Sequence, residues 1–374
     1  MRSQLKITGL SGNEIFCLRL RGLIPSGILV GNSVQSMGFL GSVGSAFRGV
    51  IGGEIPAITG MIHAGRERAL DRMVAESKQL GVRGIVGVSS ELRQLAGNAE
   101  FLFTGSGVRA EFGGHDFTSS GDAQELFCHW DAGYQPLAFV FGNIAYSVGA
   151  VGGIFGTMKT LVRGEIKEFS DVFNKTRHDA LARIVAQARQ TPNANAVVGI
   201  RTMVTNFVGA HEMYMMGTAS SNPALHAGEP VTSDLTGEEL WSLTQLGYAP
   251  MKLLISTSVY SLGVVGGLKA ALKGFVKGEI SDLTTLIYDA RENVFDRIES
   301  EAEQLGADEV VGIKMYIVEL GSSLIEMVGV GTAVKKVSGV KTETPNLPVQ
   351  AVIRDKDTWL SGVGGFNLQQ RMSE

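Results

Sequence analysis

Apolar and polar positions alternate with two different periods along the chain, and the same order of periods appears three times. Short apolar runs at 28–30, 139–141 and 253–255 are typical of strands that are buried on both faces. The segments after them place apolar residues three or four positions apart, which predicts amphipathic helices. Two closing strands are predicted in each unit, at 84–89 and 100–108, 196–204 and 211–219, and 309–318 and 324–334. Strands with helices on one face indicate an α+β, two-layer fold.

The repeat is visible in the residues themselves. Gly-Tyr-Gln-Pro at 133–136 and Gly-Tyr-Ala-Pro at 247–250 lie 114 residues apart, and Gly-Leu-Ile-Pro at 22–25 lies 111 residues before the first of them. Self-similarity at a fixed spacing indicates one structural unit used three times. The predicted modules are 1–111, 112–222 and 223–338, followed by a C-terminal tail at 339–374.

A short helix is predicted to open each module. Ser11 and Thr236 precede Glu14 and Glu239 by three residues, which is the spacing of a capping box, and Asp122 supplies an equivalent start. Glycine favours the left-handed conformation that ends many helices. The opening helices are therefore predicted to end near Gly22, Gly133 and Gly247.

A stripe of small residues recurs on one face of the helix that follows the first strand. Each glycine inside a helix costs about 0.5–1 kcal/mol relative to alanine, so a recurring stripe predicts that another element approaches this face closely. We call this set the small-residue stripe; it contains Gly38, Gly41, Gly149, Gly152, Gly153, Gly156, Gly263, Gly266 and Gly267. The stripe is interpreted as a packing surface for assembly.

One acidic and one basic residue also recur in every module, 12 positions apart. These pairs are Glu54 with Arg66, Glu165 with Arg177, and Glu279 with Arg291. Such charges could meet along or between neighbouring helices, so they are interpreted as structural ion pairs or helix caps rather than as an acid/base dyad.

Composition narrows the class of protein. The net charge is −4 with no long basic run, so nucleic acid is not an expected partner. Two cysteines in 374 residues argue against a disulfide framework and favour a cytoplasmic location. The first six residues lack the apolar core of a signal peptide, and no apolar stretch is long enough to predict a membrane-spanning helix.

The third module carries the motifs of a known family. Glu309-Val-Val-Gly-Ile-Lys314, the later Gly331-Thr-Ala-Val334 and the helix that contains Arg291 together resemble the YbjQ-like family, which has a heavy-metal-binding label. The second module repeats the motifs as Val197-Val-Gly-Ile200 and Gly217-Thr-Ala219. The resemblance implies dodecin-like β-α-β-β subunits that assemble as homopentameric rings in single-module members. It implies no known reaction.

Heavy-metal binding, the property attributed to the family, requires residues that can bind a soft metal. Such a metal needs three or four converging thiolates or imidazoles. Cys17 and Cys128 lie one repeat apart, but the third module has Ser242 at this position. The best candidate ligands are His115, Cys128 and His129. Because these residues do not recur, metal binding is not expected to be the shared function, and no cofactor is expected.

The chain is therefore predicted to be non-enzymatic. It lacks a phosphate-binding Gly-Lys-Ser/Thr loop and a serine nucleophile elbow. Unpaired strand edges are usually covered by a neighbour, which favours a self-assembling scaffold: a cyclic, pentamer-based homo-oligomer, stacked ring or shell. Two alternatives stay open. One is a metal- or small-ligand-binding oligomer, and the other is membrane-surface association through cationic helices at 152–159 and 268–275.

Overall fold

A computed structural model of the chain describes residues 7–36, 53–110, 116–147, 164–207, 210–226, 228–261, 281–321, 324–351 and 359–361. The small-residue stripe lies outside these residues, as do His115 and Glu279. The described elements have the mixed α+β architecture that the sequence predicted, so the fold class is confirmed.

The three modules use one series of elements. The first contains α1 (Gly12–Leu20), β1 (Leu23–Ser36), β2 (Gly53–Glu54), α2 (Pro56–Gln79), β3 (Gly84–Leu95) and β4 (Asn98–Ala110). The second contains β5 (Phe117–Thr118), α3 (Ala123–Asp131), β6 (Gln135–Ser147), β7 (Gly164–Glu165), α4 (Lys167–Arg189), β8 (Ala196–Phe207) and β9 (Ala210–Ser221). The third contains β10 (Val231–Thr232), α5 (Gly237–Gln245), β11 (Tyr248–Ser261), α6 (Ser281–Leu305), β12 (Glu309–Gly321) and β13 (Leu324–Lys336). The tail adds a 3₁₀ turn (Val349–Ala351) and β14 (Trp359–Ser361).

The opening helices begin and end where local sequence places them. Ser11 and Glu14 form a capping box on α1, and Thr236 and Glu239 form one on α5. The Asp122 carboxylate accepts two backbone N–H bonds at the start of α3. A glycine with positive φ follows each helix: Gly22 at +68°, Gly133 at +87° and Gly247 at +80°.

Each module builds a three-stranded antiparallel sheet, and neighbouring modules extend it. The strand orders are β1-β4-β3, β6-β9-β8 and β11-β13-β12. The two-residue strand β2 pairs with β6 of the next module, and β7 pairs with β11 in the same way. At the opposite edges, β5 pairs with β3 and β10 pairs with β8, both in parallel. Among the described strands, the middle sheet is thus extended at both edges, whereas the outer edges of β1 and β12 are unpaired.

The sheet of the second module is packed between two helices. An added Cβ at Gly142 would lie 2.5 Å from the backbone oxygen of Ala180, so α4 lies directly on this face of β6. Successive residues of a strand point to opposite faces. The neighbouring Phe141 accordingly contacts α2 of the first module, with its ring 5.0 Å from that of His63. Helices and sheets of successive modules therefore alternate in layers.

Two large hydrophobic clusters lie at the junctions between modules. One core cluster contains Ile62 and Phe101 of the first module with Phe141 and Tyr214 of the second. Another joins side chains of α4 to Ile255 and other residues of β11 and β13. Burial of one large apolar side chain contributes about 1.5–3 kcal/mol, so each module stabilises the next.

The expectation that the first strands are buried on both faces is wrong for the first module. The corresponding residues of β6 and β11 are buried, but Ile28 and Val30 of β1 are 45% and 46% exposed. Their outer face has no covering helix in the described part of the chain, whereas α2 covers β6 and α4 covers β11. None of the described helices is both long enough and apolar enough to cross a membrane.

Candidate functional site at the junctions between modules

A buried ion pair joins the first module to the second. The Arg66 guanidinium, on α2, binds both carboxylate oxygens of Glu212, on β9, and the Nη2–Oε2 distance is 3.1 Å. Both side chains are at most 2% exposed. The Arg66 guanidinium also lies over the Tyr214 ring, 3.7 Å from its centroid.

The second junction repeats this arrangement. Arg177 Nη2, on α4, lies 2.7 and 2.9 Å from the two carboxylate oxygens of Glu326, on β13. Arg177 Nη1 donates to the hydroxyl of Tyr146, at 3.1 Å, and Thr257 Oγ1 donates to Glu326 at 2.8 Å. Burial by itself would lower the pKa of Arg177, but the Glu326 carboxylate and the Tyr146 hydroxyl together outweigh it and raise the pKa. The guanidinium therefore stays charged, and its buried charge requires the carboxylate of the next module.

A second, half-buried ion pair crosses each junction, and in this pair the earlier module supplies the glutamate and the later module supplies the arginine. Arg183 Nη2 lies 2.7 Å from the Glu54 carboxylate, and Arg297 Nη2 lies 2.6 Å from Glu165. Ser258 Oγ also donates to Glu165, at 2.8 Å. Burial raises the pKa of Glu165, but bonds from Ser170, Ser258 and Arg297 prevail and lower it.

The recurring charges identified from sequence thus take their partners from the following module. Arg66 and Arg177 bind glutamates of the next sheet, and Glu54 and Glu165 bind arginines of the next helix. Arg291 has only its neighbour Glu292 as a described ion-pair partner, and its side chain is 41% exposed. The arrangement can hold consecutive modules in a fixed order.

The sequence reasoning missed the partners of these residues. Glu212 and Glu326 lie 114 positions apart, as do Arg183 and Arg297, which is the spacing between the second and third modules. A search for charged residues that recur at this spacing would have found the two glutamates and the two arginines. It would not have shown which residue of another module each one binds, because spacing carries no information on which surfaces meet.

Cys128 and His129, the two candidate metal ligands that the structure describes, are both buried. Cys17 and Cys128 share an apolar cluster with Phe127 and Ala351, and Cys128 Sγ donates to the Ala351 carbonyl at 3.3 Å. Burial raises the pKa of Cys17 to about 11 and raises that of Cys128 further, which disfavours the thiolates that bind soft metals. His129 is also buried, and burial followed by the charge of Arg201 lowers its pKa to about 4.

Cys128 and His129 do not converge on a common point with other metal-binding side chains of the described residues. Within the described ranges, no group of three or more His, Cys, Asp and Glu side chains is placed to hold a metal ion. Cys128 lies against the tail, whereas His129 faces Gly199 of the sheet. The described residues therefore do not fit a heavy-metal site.

The tail is bound at a buried aspartate whose contact with the tail was not predicted from the sequence. Asp131 is fully buried and accepts bonds from Arg21 (3.2 Å), the Trp241 indole N–H (2.7 Å) and the Thr344 hydroxyl (2.9 Å). These donors come from the first module, the third module and the tail. The corresponding residues in the other modules are Leu20 and Gln245, so repetition could not have indicated this position.

Three α+β modules whose contacts repeat along one chain define a tandem-repeat protein. A family model described as "Putative heavy-metal-binding", the YbjQ family, matches residues 24–111, 133–222 and 249–337. The chain belongs to this family, in three tandem copies.

Curated relatives include one that is more than a single module long. An encapsulin nanocompartment protein of Mycobacterium tuberculosis is 29% identical over 241 residues, which cover 62% of this chain and 90% of that protein. A UPF0145 protein of Thermoplasma acidophilum is 38% identical over 77 residues, 21% of this chain and 65% of that protein. A UPF0145 protein of Acinetobacter baylyi is 34% identical over 86 residues, 23% of this chain and 79% of that protein.

Proposed function

We propose that this chain is a non-enzymatic structural protein that assembles with copies of itself into a scaffold of the shell or ring type. The observation that carries the proposal is a pair of faces, on the first and third modules, whose apolar side chains are exposed in the described part of the chain. Isolated exposed apolar side chains are common on proteins, but a contiguous patch usually marks an interaction surface. Here β1 exposes Ile28, Val30 and Val34, and β12 exposes Ile313 and Ile317.

The relatives support the same proposal. The protein of Mycobacterium tuberculosis is named as an encapsulin nanocompartment protein, and its similarity to this chain extends over 62% of the present sequence. The similarity to a protein with this name favours self-assembly of the present chain. The cyclic, pentamer-based form is proposed from the homopentameric rings that the family resemblance implies for single-module members.

The charged groups at the junctions favour a structural role over catalysis. Arg66, Arg177, Glu212 and Glu326 are buried and bound to one another, so they have no access to a substrate. Catalytic groups, by contrast, line a cleft where the substrate binds. We therefore assign these residues to holding modules together and propose no reaction.

The mass of the particle in solution tests this function. We expect light scattering and native mass spectrometry of the full chain to give a multiple of the 39.8 kDa chain mass, with five chains or a multiple of five in the pentamer-based form. A single species of 39.8 kDa at every protein concentration would contradict self-assembly. A stable assembly with another number of chains would contradict only the pentamer.

A further inference from the structure

One face of β1 corresponds to a surface that is buried in each later module. Ile28, Val30 and Val34 are 45–50% exposed, and the residues 111 positions later, in β6, are buried. In β6 these positions pack against α2 and β4 of the preceding module; Phe139, for example, makes an edge contact with Phe103 at 5.6 Å. The face of β1 therefore has the shape and chemistry of a surface that receives a preceding module.

The third module presents the complementary surface. Tyr288 on α6 is 52% exposed, and Ile313 and Ile317 on β12 are 42% and 53% exposed. The counterparts of the two isoleucines on β8, Ile200 and Val204, are almost fully buried beside the third module. A groove of about 390 Å³ lies between α6 and β12, and its lining includes the exposed Ile313. This surface of the third module therefore corresponds to a surface that the second module buries against its neighbour.

The first and third modules also have strand edges that are paired at the internal junctions. Among the described strands, the outer edge of β1 in the first module and the outer edge of β12 in the third module have no partner strand. The short strand β5, which precedes α3, covers the edge of β3, and β10, which precedes α5, covers the edge of β8. Ile7 precedes α1 by the same number of residues as Thr118 precedes α3, and it is 69% exposed. Ile7 thus holds the repeat position of Thr118, a residue that covers the edge of a β3 strand.

The buried ion pair identifies the register of this contact. Glu212 lies opposite Ala145 in its sheet, Glu326 lies opposite Val259, and Glu100 lies opposite Val34 at the same register position. Glu100 is therefore the first-module counterpart of the two buried glutamates. Arg291 is the third-module counterpart of Arg66 and Arg177.

We propose that the third module of one copy docks on the first module of a second copy as the internal modules dock on each other, with Arg291 bound to Glu100 of that copy. This inference rests on the proposed function and specifies its interface. The occupant is a second copy because the two open surfaces continue an interface that the chain already forms twice. Since the two surfaces differ, the contact is heterologous, and it forms closed rings or open filaments depending on the rotation between copies.

Charge reversal distinguishes this contact from other modes of assembly. In R291E the introduced carboxylate of one copy would face the Glu100 carboxylate of the next, and in E100R the Arg291 guanidinium would face a second guanidinium. An uncompensated charge at a buried position opposes association strongly, so each variant alone should weaken association at least about 100-fold. In an equal mixture of the two variants, the third module of R291E can dock on the first module of E100R, where the introduced carboxylate faces the introduced guanidinium. The third module of E100R can dock on the first module of R291E, where Arg291 faces Glu100 as in the wild type. The mixture should therefore regain association, and the double variant R291E/E100R should assemble fully.

The measurement is particle mass as a function of concentration, by light scattering, for the full chain and each variant. K175E is the control. Lys175 lies on α4 with its side chain 75% exposed, and K175E changes the net charge by the same amount as R291E. Circular dichroism and thermal unfolding verify that each variant is folded. If R291E and E100R lose assembly and the double variant regains it, the head-to-tail contact is supported.

Two other results separate this inference from the proposed function. A wild-type chain that is monomeric at all concentrations overturns both. A wild-type chain that assembles, while folded R291E and E100R assemble equally well or lose assembly without recovery in the double variant, overturns the head-to-tail contact alone. Should either reversal prevent folding, I317D and V34D provide separate variants at the two surfaces, and normal assembly of both would overturn the proposal.

Discussion

Arg177 binds both carboxylate oxygens of Glu326, a residue 149 positions later in the chain, at 2.7 and 2.9 Å. The two side chains are no more than 1% exposed, and they belong to different modules. A buried charge without its partner is costly, so this contact makes correct docking of the third module a condition for a stable second module. Arg66 and Glu212 impose the same condition one module earlier.

Breaking this pair should destabilise the protein strongly. We expect E326Q to lower the free energy of unfolding by about 3–5 kcal/mol, because the buried guanidinium loses its counter-charge. Urea denaturation followed by circular dichroism measures the change. The control is K175M, two residues from Arg177 on the same helix, which removes an exposed ion pair that contributes about 0.3–0.5 kcal/mol. Equal effects of E326Q and K175M would refute a special role for the buried pair.

The glycine at position 142 should not tolerate a side chain. An added Cβ would lie 2.5 Å from the Ala180 oxygen and 2.8 Å from the Ile184 nitrogen, so G142A requires β6 and α4 to move apart. We expect a loss of about 1–3 kcal/mol in unfolding free energy. Gly60 lies inside α2 with open space around it, so G60A should instead stabilise the protein by about 0.5–1 kcal/mol. Thermal unfolding compares the two, and a stabilising G142A would contradict the close contact.

His129 should make stability depend on pH. Its pKa is lowered from 6.5 to about 4 by burial and by Arg201, so the unfolded chain takes up this proton at a higher pH than the folded one. Between these values the unfolded state binds more protons, and the free energy of unfolding therefore falls as the pH falls from about 6.5 to about 4. The loss attributable to His129 should reach about 3 kcal/mol at pH 4.

The substitution H129L isolates this contribution, since the corresponding residues of the other modules are Leu18 and Leu243. Urea denaturation of both proteins at several pH values gives the difference curve. Asp122 also has a raised pKa, of about 6, but it is present in both proteins. A wild-type curve parallel to that of H129L between pH 6.5 and 4 would rule out the buried neutral histidine.

Asp131 should hold the tail against the opening helices. In D131A the Arg21 guanidinium, the Trp241 indole N–H and the Thr344 hydroxyl lose a shared acceptor, and the cost should be about 1–3 kcal/mol. The tail should also become more accessible to protease after residue 338, which mass spectrometry of the fragments detects. E343Q is the control because Glu343 is half exposed and makes a single ion pair with Arg21. Identical cleavage in D131A and wild type would contradict this role.

Local sequence predicted the elements because their causes are local. The capping spacing at Ser11 and Thr236 and the glycines after each opening helix act within one helical turn, and the structure has these helix ends as expected. The two closing strands of each module were also located correctly, although each extends beyond its predicted bounds. The extensions at the hairpin ends reach polar residues such as Arg93 and Gln94, whose strand conformation comes from pairing with β4 rather than from an apolar pattern.

The candidate site, in contrast to the helices and strands, could be predicted from the sequence only in part. The recurrence of Arg66, Arg177 and Arg291 marked positions of importance, but the three residues have different environments: two are buried and one is exposed. Sequence treats them as equivalent because they occupy the same place in the repeat. In the structure, the next module supplies a buried carboxylate to Arg66 and to Arg177, whereas the described ion-pair partner of Arg291 is its neighbour Glu292.

The sequence alone therefore determined the threefold repeat, the α+β class and the boundaries set by capping and glycine, all of which depend on residues close together in the chain. Tertiary structure decided which surfaces meet. It joined Arg177 to Glu326, brought Cys17 and Cys128 into one apolar cluster without making a metal site among the described residues, and exposed Ile28 of β1 while burying its counterpart Phe139. The physical reason is that burial and ion pairing depend on neighbours in space, and identical repeat positions acquire different neighbours at the ends and in the middle of the chain.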